Sequence, residues 1–251
     1  MQSITRVTNS ARSCLGYDAS PNKACKSPAY RLAGTPRRCA AGRPFTVALA
    51  AKSMYLRTDE ETEAADALCM AAQLAKDLEH KPNLWRWLII ALHNAVQGFM
   101  VLSLRHGNGL AALSEQSFTE WMEAHEKGGP YPAKEKLDSY LNLYKKVKSK
   151  DYGQIGGNRR FVPKGTQGKS IKRLDTLRNE FIHFTPKGWS LELDGLPGIC
   201  LDCIGLVRFL GWETSNIFWH EPQAKERSYS CIATLVGQLE SLDKAYQCAS
   251  S

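Results

Sequence analysis

Acidic residues are almost missing from the first fifty positions, where eight Lys and Arg stand against a single acid, Asp18. The first twenty residues also lack the apolar run that heads a secretory signal, so this basic start is not expected to be a secretory leader. Strand-patterned sequence is scarce. Trp189 to Leu193 alternates, but it is too short to found a sheet and reads as an extended connector. Cys200-Leu-Asp-Cys203 has no second pair at zinc-ribbon spacing. No stretch repeats at a fixed period, which excludes a solenoid.

What is present is enough apolar material for one real core, 43% of 251 residues. Residues 1–58 mix Ser, Pro, Gly, Arg and Cys without sustained periodicity and are expected to be a disordered basic extension. Residues 59–251 read as one helical domain. Thr58 to Glu63 supplies a cap and first-turn acids for a helix ending near His80. Lys81-Pro82-Asn83 breaks it, with Asn83 as the next cap.

The stretch from Leu84 to Arg105 is long and apolar enough to resemble a membrane span. His93, Asn94, Gln97 and Gly98 in its middle argue instead for the central helix of a soluble bundle. His93 is expected buried in a structural hydrogen bond, or else facing a site across the bundle. A helix from Ser114 or Ser117 to His125 follows. Another is expected over Ala133–Ser149, with Leu137, Tyr140, Leu141 and Tyr144 inward. Then come Ser170–His183, Ile199–Leu210 and about Lys225–Cys248.

The net charge of +8 is unevenly placed. Between residues 145 and 173, ten Lys and Arg face only Asp151. These include Lys145, Lys146, Lys148, Arg159, Arg160, Lys164, Lys169, Lys172 and Arg173, a stripe suited to a phosphate backbone or to a solvated loop. Of eight cysteines, Cys14, Cys25 and Cys39 precede the domain. Cys69, Cys200, Cys203, Cys231 and Cys248 fall in expected helices, an odd count that reads as reduced thiols in a cytoplasmic protein. Cys200 and Cys203 are expected to face the core.

One stretch organises the rest. Arg178, Asn179 and His183 lie on about one and a half turns of a helix whose Leu174, Leu177, Phe181 and Phe184 form an apolar stripe. Asn179 and His183, four apart, share a side. An Arg five residues before a His arises by chance in roughly 0.3 of such chains, and adding the adjacent Asn lowers that to about 1%. The looser spacing recurs at Arg86 and His93, so only the full hexad is sharp. A histidine that titrates near neutrality, a guanidinium fork and an amide could manage the proton and charge of phosphoryl chemistry. The same residues could also serve as a binding surface or as structure, with Arg178 paired to Glu180 or Asp175.

At Arg178-Asn179-Glu180-Phe181-Ile182-His183 the chain resembles the HEPN superfamily, and the residues that follow, Lys187 to Glu192, are similar to what trails that motif in bacterial members. The resemblance spans roughly residues 60–249. It implies an all-α, HEPN-like helical bundle that forms a homodimer, so that two motifs meet across one cleft. It also implies a metal-independent endoribonuclease with Arg178, Asn179 and His183 in the site, no cofactor, RNA as substrate, and an antitoxin or other regulatory partner in a toxin or phage-defence setting. Other members have lost activity and bind a protein, nucleotide or RNA, which is the alternative reading.

Overall fold

The computed structural model describes residues 55–56, 58–105, 108–151, 159–183, 188 and 190–250. The expected extension over 1–58 therefore lies outside the described residues, apart from Tyr55, Leu56 and Thr58. Seven α-helices are described: α1 (Glu60–Ala75), α2 (Trp85–Leu104), α3 (Glu115–Lys127), α4 (Tyr140–Lys148), α5 (Gln167–Ile182), α6 (Leu196–Arg208) and α7 (Pro222–Ser250). No strand is formed among the described residues, and Ser190 to Leu193 is irregular, as a connector should be. The fold class is all-α.

α2 is the central element. It packs against α1, α4, α5 and α6. Its Leu88, Ile89, Leu92, Val96, Phe99 and Met100 are fully buried, and each such side chain stabilises the fold by about 1.5–3 kcal/mol. The span-like composition of this helix is thus explained by its place in the core.

α1 crosses α2 closely because Gly98 faces Ala64; a Cβ at 98 would lie 2.7 Å from the Ala64 Cβ. α7 closes over α1. The buried Glu61 carboxylate accepts the backbone N–H groups of His220 and Glu221, which are orphan donors before α7. Trp85 Nε1 of α2 donates to the Tyr246 hydroxyl of α7 at 3.1 Å.

Three expectations are corrected. Cys69 of α1 and Cys231 of α7 form a disulfide, with their Cα atoms 5.1 Å apart. The reduced-thiol reading fails for this pair because the packing of the first helix on the last brings together residues that are 162 apart in sequence. Cys200 and Cys203 are buried free thiols, as expected, and burial pushes Cys200 up to about 12.

The helix expected from Ala133 starts only at Tyr140. Asp138 accepts from the Ser139 N–H and the Asn142 amide, and Ser139 Oγ accepts from the Asn142 N–H, so the helix is capped there. The segment before it pairs antiparallel at Leu113 and Leu137, and Leu137 is exposed rather than inward. Finally, Asn83 does not cap α2; Pro82–Leu84 forms a short 3-10 turn leading into it, without a side-chain cap.

Candidate functional site

α5 supplies the hexad. Its Ile171, Leu174 and Leu177 are fully buried, and this anchors the helix on α2 and α6. Phe181 is half-buried, and Phe184 lies outside the described residues. Arg178 and Asn179 are half-buried, and His183 is exposed.

The Arg178 guanidinium donates from Nη1 to Asn179 Oδ1 at 3.0 Å. Its Nε is buried without a partner. The expected alternatives for Arg178, an ion pair with Glu180 or Asp175, are not made. His183 closes α5, and its N–H donates to the Asn179 carbonyl at 2.8 Å. Asn179 and His183 therefore sit one turn apart at the helix end. Arg86 of α2 reaches the same end, donating Nη2 to the Phe181 carbonyl at 3.1 Å while lying over the Trp87 ring. A cation there satisfies an orphan carbonyl and matches the negative end of the helix dipole.

His93 is 2% exposed and meets Asp175 Oδ1 through Nε2 at 3.0 Å. Its ring stacks on Tyr140, with centroids 4.1 Å apart. Burial lowers the His93 pKa, the Asp175 hydrogen bond opposes that, and the Arg178 charge adds to the lowering. A neutral ring donating Nε2–H to Asp175 leaves Nδ1 as an acceptor, and Nδ1 is buried without a partner. The structural hydrogen bond expected of His93 is made. It also ties α2 to α5 one turn before Arg178. The looser Arg86–His93 pair does not form a site: Arg86 lies over the end of α5, whereas His93 is buried two turns further along α2.

Arg178 lines a cleft of about 700 Å³ with Asn94, Gln97, Asp59, Glu60 and Glu63. The carboxylates are partly committed. Asp59 caps α1 and is held below its usual range by the Thr62 N–H; Glu60 pairs with Arg105 at 3.2 Å; Glu63 accepts from Thr58 Oγ1 at 2.6 Å. Arg178 thus shares this cleft with three carboxylates, one of them paired with Arg105. Among the described residues no group of three or more His, Cys, Asp or Glu could hold a metal.

The basic stripe is divided among several places. Lys145 is exposed on α4 and donates to Asn142 at 3.2 Å. Lys146 is bound internally, to Asp138 at 2.8 Å and to the Leu113 carbonyl. Burial raises the Asp138 pKa, but hydrogen bonds from Lys146, Asn142 and Ser139 outweigh it and hold the carboxyl below its usual range. Lys148 lies over the Tyr144 ring. Lys169, Lys172 and Arg173 are exposed on the first half of α5. Arg159, Arg160 and Lys164 line a separate pocket with Arg208, a residue outside the stripe.

Comparison with protein-family models, with curated proteins and with solved structures finds no match.

The sequence pattern did not reveal Asp175 as the partner of His93, Arg86 as the cation at the end of α5, or Arg208 in the basic pocket. Spacing along one helix could not reveal any of the three, because each contact joins two elements.

Proposed function

We propose that the chain is a metal-independent endoribonuclease of HEPN type, working in the cytoplasm as a homodimer under an antitoxin or other regulatory partner, in a toxin or phage-defence role. The observation that supports it best is the exposure of His183 one turn from Asn179, beside a guanidinium held on the Asn179 amide. RNA carries its own nucleophile. His183 takes the proton of a 2′-hydroxyl as the oxygen attacks phosphorus, and Arg178 stabilises charge on the non-bridging oxygens. The P–O5′ bond breaks, and the leaving oxygen takes a proton from an imidazolium or from water. The products are a 2′,3′-cyclic phosphate and a 5′-hydroxyl. In a reducing cytoplasm the Cys69–Cys231 pair would stand as two thiols.

The test is cleavage of a labelled RNA by the full chain in EDTA. Wild type is expected to leave cyclic-phosphate ends, and His183→Ala and Arg178→Ala are each expected to lose about 10²- to 10⁴-fold in rate. Equal activity in wild type and both variants would remove the trio from the chemistry.

A second reading, a non-catalytic helical module that binds a partner, is favoured by the acidic rim of the Arg178 cleft. Asp59, Glu60 and Glu63 suit a cationic partner segment better than an RNA strand. Inactive wild-type protein that nonetheless forms a complex weakened by Glu63→Gln would support this reading over the first.

A further inference from the structure

Four cations converge on one pocket at the start of α5. Arg159, Arg160 and Lys164 come from the segment leading into that helix, and Arg208 comes from the last turn of α6. The pocket has a volume of about 390 Å³, within the size range of small-ligand sites. Its one acid, Glu213, is already engaged, accepting from Arg208 Nε at 2.8 Å. No ion pair joins Arg160 or Lys164 to an acid among the described residues. The pocket therefore carries more positive than negative charge, a field that attracts an anion.

The pocket is also built rather than gathered by chance. Buried Asn216 clamps the Arg159 backbone from both sides, accepting its N–H at 3.0 Å and donating to its carbonyl at 2.8 Å. The Arg159 guanidinium donates to the Glu213 carbonyl at 3.0 Å and lies over the Phe209 ring. That carbonyl belongs to a π-helical turn, Phe209–Glu213, which widens the end of α6. Such turns recur at functional sites. On the facing wall the Gln167 side chain accepts the Lys164 N–H through Oε1, which leaves its amide nitrogen beside Gly205. A Cβ at 205 would lie 2.8 Å from that nitrogen, so the glycine makes room for it.

We propose that this pocket binds a terminal phosphomonoester, the phosphate at the end of a nucleic-acid strand or of a mononucleotide. A monoester carries close to two negative charges near neutrality and three terminal oxygens, which suits several convergent cations. A diester within a continuous strand carries one charge and offers two non-bridging oxygens, so it engages fewer of these cations. The inference deepens the reading of Arg159, Arg160 and Lys164 as part of a basic stripe suited to a phosphate backbone, and does not rest on the ribonuclease chemistry. It concerns the opposite end of α5 from His183, about 24 Å away along a 16-residue helix.

The experiment measures equilibrium binding of the full chain to a short, labelled 2′-deoxy oligonucleotide carrying either a 5′-phosphate or a 5′-hydroxyl. Neither probe has the 2′-hydroxyl needed for cleavage, so a failed nuclease reading does not affect the outcome. Wild type is expected to bind the phosphorylated probe about tenfold more tightly. Arg160→Ser with Lys164→Ser is expected to abolish that preference, since both side chains are exposed and neither has an acidic partner that folding requires. Lys172→Ser with Arg173→Ser removes the same charge from the exposed side of α5 and should leave the ratio intact. Competition by AMP as strong as by the oligonucleotide itself would assign the pocket to a mononucleotide; weak competition would assign it to a strand end. Both results support the proposal. Equal binding of the two probes by wild type, or an unchanged ratio in the Arg160/Lys164 variant, overturns it.

Discussion

At His93, burial decides the charge of the ring. The folded-state pKa lies below the ordinary 6.5, with desolvation as its largest cause. On acidification the unfolded chain therefore takes up a proton first. The stability held in the neutral ring is fully present above about 6.5 and is lost as pH falls below it toward the folded value. The groups facing the ring are Asp175, Arg178, Asn94 and Tyr140. Asp59 and Asp138 have lowered carboxyl values, so their contributions disappear only at more acid pH. The urea midpoint of wild type should accordingly drop between pH 7.5 and pH 5.5. His93→Gln keeps an amide donor near Asp175 but cannot titrate, and its midpoint should stay nearly flat over that interval. At this scale the sequence was legible where a polar residue interrupts an apolar helix, as His93 does. It was silent about Asp175, 82 positions away, because that pairing depends on how α2 and α5 pack. The competing expectation, that Asp175 would pair with Arg178, failed: Asp175 Oδ1 meets His93, and the Arg178 guanidinium turns to Asn179 Oδ1 instead.

The helices show where periodicity suffices. α2 was legible almost to the residue, since its apolar run continues around every face and its polar residues fall at intervals. The start of α4 was not legible. Its apolar period reaches back to Leu137, but Asp138 and Ser139 form a local cap that starts the helix later than the period suggests. Element packing also leaves a mark at single glycines. At the crossing of α1 and α2, Gly98→Ala would drive its methyl into Ala64, whose Cα lies 3.1 Å from where that methyl would stand. Backbone atoms cannot swing aside, so the helices must separate. The variant should lose about 1–3 kcal/mol in urea unfolding, as overpacked cores do. Ala64→Gly added to it should recover part of that loss.

On the scale of the whole molecule, charge distribution was only half legible. The stripe between residues 145 and 173 is visible as a run of Lys and Arg, but sequence cannot say which of them folding consumes. Lys146 goes to Asp138, and Arg159 is aimed by Asn216, while Arg208 joins the pocket from outside the stripe. The Cys69–Cys231 bridge was illegible for the same reason, since it depends on the last helix lying against the first. Cys69→Ser with Cys231→Ser should lower unfolding free energy by about 2–4 kcal/mol, measured against wild type under oxidising conditions. Dithiothreitol should shift wild type to the same midpoint and leave the variant unmoved. The bridge, which like Glu61 ties α1 to the chain at α7, also makes the folded unit a closed loop rather than a line. A protease that nicks any connector between α1 and α7 would leave two pieces that still travel as one body. Most of the helices and the basic pocket lie inside that loop, so a nicked molecule keeps the pocket whole until the bridge is reduced.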